Sequence, residues 1–139
     1  MEDKGLSTNE GISLELSSHV GLAIVAQQGM SGYCFQGNAI AIGPKEDAIM
    51  ALINGNTIYR ASDGAIMASV SQHFQKGDSV SLVPEDIMKE KLRFEMLRSD
   101  FKVTDEGAIS PVGKPDLALG ISDPSLILVS RDSPSQLIL

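Results

Sequence analysis

One cysteine and two histidines are the residues from which nucleophilic or metal chemistry would have to be assembled. Cys34 is the single thiol, and His19 and His73 are the only imidazoles available to deprotonate it. A nucleophilic cysteine needs its pKa lowered by a neighbouring imidazolium or a helix N-terminus. Cys34 instead lies within Gly32-Tyr33-Cys34-Phe35, an apolar run in which burial disfavours the thiolate. It therefore reads first as a small buried hydrophobe. A hydrolase or transferase built on Cys34 with His19 or His73 stands as the alternative from the enzyme class.

Metal chemistry has less to work with. One cysteine and two widely separated histidines match no ligand spacing of a zinc site. The acidic pairs Glu46-Asp47, Glu85-Asp86 and Asp105-Glu106 are adjacent residues, which point in different directions on a helix or a strand. The first two fall where a helix N-terminus favours negative charge. No alternating Asp/Asn calcium loop, phosphate-binding glycine loop, HExxH or G-x-S-x-G motif is present. No cofactor and no metal is expected, and an enzyme has no positive support.

Charge narrows the partners. Eighteen acidic residues against 11 basic ones give a formal charge of −7. Nucleic-acid binding needs clustered Lys and Arg, whereas Lys89, Lys91, Arg93 and Arg98 are interleaved with Glu85, Asp86, Glu90 and Glu95. With no Trp, two Tyr and four Phe, stacking platforms for single strands are scarce. No apolar stretch approaches the roughly 18 residues of a membrane span. The opening MEDKGLSTNEGISLELSS lacks the basic start and apolar core of a secretory signal. A reducing location, cytoplasm or an assembled particle such as a virion, suits the lone thiol.

The elements that must position these residues read as mostly β. Residues 1–11 form a polar N-terminal arm, and residues 12–139 of the 139-residue chain a single β-rich globular domain. Ile12, Leu14 and Leu16 alternate with Ser13, Glu15 and Ser17, the period of a half-buried strand. His19 to Gln27 is a nearly continuous apolar run, expected as a strand buried on both faces. Gly37-Asn38-Ala39-Ile40, Gly64-Ala65-Ile66 and Gly107-Ala108-Ile109 read as strand starts after glycine turns. The AIMA of residues 48–51 recurs at residues 65–68, at an irregular spacing that excludes a repeat architecture.

Two segments carry helix signals. Pro44, then Glu46 and Asp47, then Asn54-Gly55 mark the start and stop of a helix over 44–54. The same Asn54-Gly55 between apolar runs also signals a hairpin that pairs 48–53 with 56–61; the helix is preferred. Residues 84–98 have helix-favouring composition and i,i+4 pairs, Glu85–Lys89 and Lys91–Glu95, although Leu92, Phe94 and Met96 alternate as on a strand. A helix is expected there as well. Pro124-Ser-Leu-Ile-Leu and Pro134-Ser-Gln-Leu-Ile-Leu read as a final pair of strands, 125–130 beside 135–139. The fold class expected is α+β and β-rich: an antiparallel meander-type sheet, or a small barrel or sandwich, with one or two helices.

Function follows by elimination and from the chain ends. A structural or assembly subunit working through protein–protein contacts, such as a small virion or particle component, is expected first. An acidic inhibitor, immunity protein or secretion chaperone that masks a basic partner is the alternative. Leu137, Ile138 and Leu139 place three large apolar side chains in a row. They are the partner-binding candidates, through strand addition to a neighbour, while pairing inside their own domain is the plainer outcome.

Overall fold

The computed structural model describes residues 11–27, 38–69, 73–93, 97–122 and 125–139. Among the described residues there are eleven strands and one α-helix. They are β1 (Ile12–Ser13), β2 (Leu22–Gln27), β3 (Asn38–Pro44), β4 (Met50–Asn54), β5 (Thr57–Arg60), β6 (Ile66–Ser69), β7 (Val80–Val83), α1 (Glu85–Arg93), β8 (Phe101–Val103), β9 (Ile109–Pro111), β10 (Leu117–Ser122) and β11 (Ser125–Ser130). The protein is β-rich, and every strand pair is antiparallel.

Seven strands form one half-barrel sheet in the order β1-β4-β5-β6-β7-β3-β2. The alternation of Ile12 to Ser17 explains how its ends meet. Leu14 and Leu16 turn inward and are buried, and the main chain between them is free to bond sideways. Leu14 N donates to Ile49 O at 3.0 Å, Ile24 N to Leu14 O at 2.9 Å, and Leu16 N to Leu22 O at 3.0 Å. The two ends of the sheet are thereby tied together. Leu14, Leu16, Ile24, Ile40, Ile58, Met67, Leu82 and Phe101 fill the interior, a core of Leu, Ile, Val and Met because the chain has few aromatics.

Residues 44–54 do not form the expected helix. Pro44 and the acidic pair yield only a 3-10 turn, Lys45–Asp47. Beyond it Ile49 and Ala51 are buried while Met50 is 48% exposed, the period-2 pattern of β4. A helix would have put Ala48, Ile49, Leu52 and Ile53 on one face, yet Ile53 is exposed. The hairpin reading prevails with a shifted turn. Asn54 pairs with Thr57 and Ile53 with Ile58, so the loop is Gly55-Asn56, with Gly55 at φ 62°. Glycine first in a two-residue loop is the chemistry of a type II′ turn.

Helix α1 runs over Glu85–Arg93 with Glu85 and Asp86 in its first turn. It seats Met88 on Ala68, Val83 and Leu97, a small cluster on the outer face of β6 and β7. The expected helix over 84–98 is cut short at its end. Arg98 is extended and exchanges two hydrogen bonds with Ser69, at 2.8 and 2.9 Å. The Glu85–Lys89 spacing falls within α1, and Leu97 is buried beside β6; Phe94 and Met96 lie outside the described residues. His19 to Gln27 is also not one buried strand. Gly21, at φ 85°, turns the chain at Val20, and β2 begins at Leu22 with only Ala23 and Ile24 buried within it.

The last forty residues pair differently from expectation. β11 pairs with β10, Leu117 opposite Ser130 and Ser122 opposite Ser125. Residues 135–139 lie on the other edge of β10, through Gly120 opposite Gln136, Ile121 N to Ser135 O at 2.9 Å and Leu137 N to Leu119 O at 3.0 Å. Gly120 makes this possible. A Cβ there would stand 2.5 Å from Val129 Cγ2 and 2.8 Å from the Ser135 carbonyl oxygen. Only glycine lets β10 be flanked so closely on both sides.

Candidate functional site

The sequence-derived candidates converge, in part, on a seam around residues 135–139. Leu137 is 2% exposed and belongs to the main core. Leu139 packs against that core from the edge, and Ile138 is half-buried. Ser17 N donates to Ile138 O at 2.8 Å and Ser18 N to the same oxygen at 3.2 Å. The Ser17 hydroxyl donates to the Leu139 main-chain oxygen at 3.0 Å, and Ile138 N donates to Ser18 Oγ at 3.0 Å. On the far side Leu139 N donates to Gly107 O at 2.9 Å. Gly107, at φ 95°, is required twice over, because a Cβ would also meet Leu139 O at 2.7 Å. In this conformation the three apolar residues are engaged within their own chain.

His19 joins the same seam. Its Nδ1 lies 2.8 Å from Ser18 Oγ, the separation of a nucleophilic hydroxyl and its base. That hydroxyl already accepts the Ile138 N–H, and no carboxylate among the described residues orients the ring. The pair fastens the seam. From His19 the chain makes a β-turn, closed by Leu22 N to His19 O at 3.0 Å. Gly21 occupies the third position, where a type II turn requires positive φ. Val20 stands at its tip, 92% exposed. The sequence reading missed this by running Val20 into a strand; the one available signal was Gly21 inside the apolar run.

A depression of about 380 Å³ beside the seam is lined by Glu106, Arg131, Asp132, Gln136 and Ile138. Arg131 holds it in shape. Its Nη1 donates to Pro115 O at 2.9 Å and its Nη2 to Glu106 Oε1 at 3.1 Å. The Glu106 carboxyl is held below its ordinary range, first by its own backbone N–H, then by Thr104, with Arg131 adding attraction. Asp132 takes a left-handed φ of 67°, a region Asp tolerates better than most side chains, and its N–H donates to Gln136 Oε1.

The remaining candidates lie elsewhere. His73 lines a separate depression with Phe74, Arg98, Asp100, Val112, Gly113 and Lys114. Cys34 falls outside the described residues, as does the N-terminal arm up to residue 10. Among the described residues no three His, Cys, Asp or Glu side chains gather as metal ligands would, and no helix is long and apolar enough to cross a membrane.

Apolar exposure is the surface's other feature. Ile12, Val20, Leu22, Met50 and Ile53 are all at least one-third exposed. Ile12 pairs with Ala51 and Ser13 with Met50, so Ile12 and Met50 lie on opposite faces of the adjoining strands. No protein family, curated protein sequence or solved structure matches the chain.

Proposed function

We propose that this protein is a structural or assembly subunit acting through contacts with other proteins. The observation that carries the reading is the apolar surface held on rigid turns and strands, above all Val20 at 92% exposure on a glycine-fixed turn. Fully burying a side chain of this kind contributes on the order of 1.5 to 3 kcal/mol. Val20 and Leu22 on one turn, and Met50 on the outward face of β4, supply such anchors already ordered before contact. Preorganised anchors of this sort bind with little further loss of freedom.

Size-exclusion chromatography with light scattering, on the wild type and on Val20→Asp and Met50→Lys, tests the proposal. A defined oligomer in the wild type, dissolved by either exposed-site substitution without loss of folding, is the expected result. A monomer that retains its state in both variants overturns it. A monomer that captures a basic protein in a salt-sensitive manner would instead support the inhibitor reading, in which the −7 charge steers association.

A further inference from the structure

We propose that Asn54-Gly55 is a self-modifying site, at which the chain deamidates to aspartate and isoaspartate without an enzyme. The two residues sit where β4 ends and the two-residue loop begins. Asn54, Gly55 and Asn56 are all exposed, and no hydrogen bond holds the Asn54 carboxamide among the described residues. The β4–β5 ladder ends at the Asn54–Thr57 pair, so the Gly55 N–H is not one of its donors. Nothing lies within 4 Å of where a Gly55 Cβ would stand. The nitrogen that follows Asn54 is therefore outside the ladder, with no side chain of its own to screen it.

The other described asparagines lack this combination. Asn38 donates through Nδ2 to Gln27 O at 3.2 Å and accepts from Arg60 Nη2 at 2.9 Å. Asn56 precedes Thr57, whose branched Cβ crowds its own nitrogen. At Asn54 a base takes the Gly55 amide proton, the nitrogen bonds to Cγ, and the Cγ–Nδ2 bond breaks to release ammonia. A five-membered succinimide remains. Water opens it at Cγ to give aspartate, or at the Asn54 main-chain carbonyl carbon to give isoaspartate, with the backbone rerouted through Cβ and Cγ. The sum is carboxamide plus water to carboxylate plus ammonium, with no change of oxidation state. Ring closure takes Asn54 out of the extended backbone of β4, so the reaction runs from molecules whose last rung has opened, a local event of small cost at a loop tip. Each conversion adds a negative charge to a chain already at −7, beside Glu85 in the depression that Asn54, Thr57 and Tyr59 also line. Isoaspartate lengthens the loop as well, and loop length sets hairpin register. The next rung, Ile53 to Ile58, carries a core residue, so the modification loosens the sheet from its tip.

The full chain is incubated at mildly alkaline pH in oxygen-labelled water, and peptide mapping by mass spectrometry follows each asparagine. Asn54 is expected to convert severalfold faster than Asn38 and Asn56, to yield both aspartate and isoaspartate, and to take up one labelled oxygen per conversion. Urea below the unfolding transition should accelerate it by opening the last rung. Asn54→Ser should abolish the acidic species that ion exchange resolves from the unmodified chain. Its side chain is exposed, so circular dichroism of the variant should match the wild type. Conversion at Asn54 no faster than at Asn56, aspartate as the sole product, a rate indifferent to urea, or an acidic species that persists in Asn54→Ser would overturn the proposal.

Discussion

Replacing Leu137 by Ala tests whether residues 135–139 are part of the domain's own architecture. Leu137 is 2% exposed and sits in the main core with Leu117 and Leu119. Truncating a buried leucine typically costs about 2 to 5 kcal/mol, the lost transfer free energy plus the cavity left behind. Undocking limits this loss, because residues 135–139 can peel from β10 instead of enclosing a void. The segment is nevertheless tied by Ile121 N to Ser135 O, Leu137 N to Leu119 O, Ser17 N to Ile138 O and Leu139 N to Gly107 O, all between 2.8 and 3.0 Å. At about 1 kcal/mol net for each bond, the cavity is the less costly outcome, and about 3 kcal/mol is expected. For a chain of this size that lowers the melting temperature by about 10 °C. Thermal and urea unfolding followed by circular dichroism measure it, with a reduced midpoint and an unchanged urea slope. Deleting residues 135–139 should destabilise the protomer further. A folded variant with an unchanged melting temperature would refute the assignment of Leu137 to the core. A truncated protomer that stays fully stable while losing its oligomer would make the segment a connector instead.

Gly120→Ala should destabilise by about 1 to 3 kcal/mol through overpacking, since its Cβ would crowd Val129 and the Ser135 carbonyl oxygen. Faster hydrogen exchange at the Ile121 and Leu137 amides checks this. Ser69→Ala should be neutral or stabilising by up to about 1 kcal/mol, measured by urea unfolding, because the buried Ser69 hydroxyl has no hydrogen-bond partner and its desolvation is uncompensated. Asp63→Asn should weaken the Arg60–Asp63 pair, whose contacts are 2.7 and 2.9 Å. The bonded Arg60 guanidinium holds the Asp63 carboxyl below its ordinary range, so its stabilisation is present above the unfolded-state pKa and lost as pH falls through the lowered folded-state value. With Asp63 half-exposed the effect is under about 1 kcal/mol, and wild type and variant should converge in stability at acid pH.

Local chemistry was legible wherever one side chain or one turn decided the outcome. The alternation of Ile12, Leu14 and Leu16 marked the inward side, and Leu14 and Leu16 are buried accordingly, while Ile12 stays 41% exposed. Gly64 and Gly107 mark turns because both take positive φ, and β6 and β9 follow them as the sequence reading expected. Pro84 with Glu85 and Asp86 started a helix because the first turn of a helix favours negative charge.

Tertiary structure decided whatever depended on a distant partner. Pro44, Glu46 and Asp47 are helix-starting residues, yet Ile49 and Ala51 bury themselves in the barrel only as a strand, and that burial outweighs propensities of a few tenths of a kcal/mol per residue. Nothing local in Ser-Gln-Leu-Ile-Leu distinguishes pairing with β10 from pairing with β11. The choice rests on Gly107 and Gly120, which leave room for this segment and no other side chain, and on Ser17 and Ser18, more than a hundred residues away in sequence, which receive Ile138. The gathering of His73, Arg98 and Lys114 around one depression was equally invisible in the sequence, since they lie on three loops separated along the chain. Composition set the charge, the scarcity of aromatics and the aliphatic core. Long-range pairing, which each loop must close against its own entropy, determined which of those residues face one another.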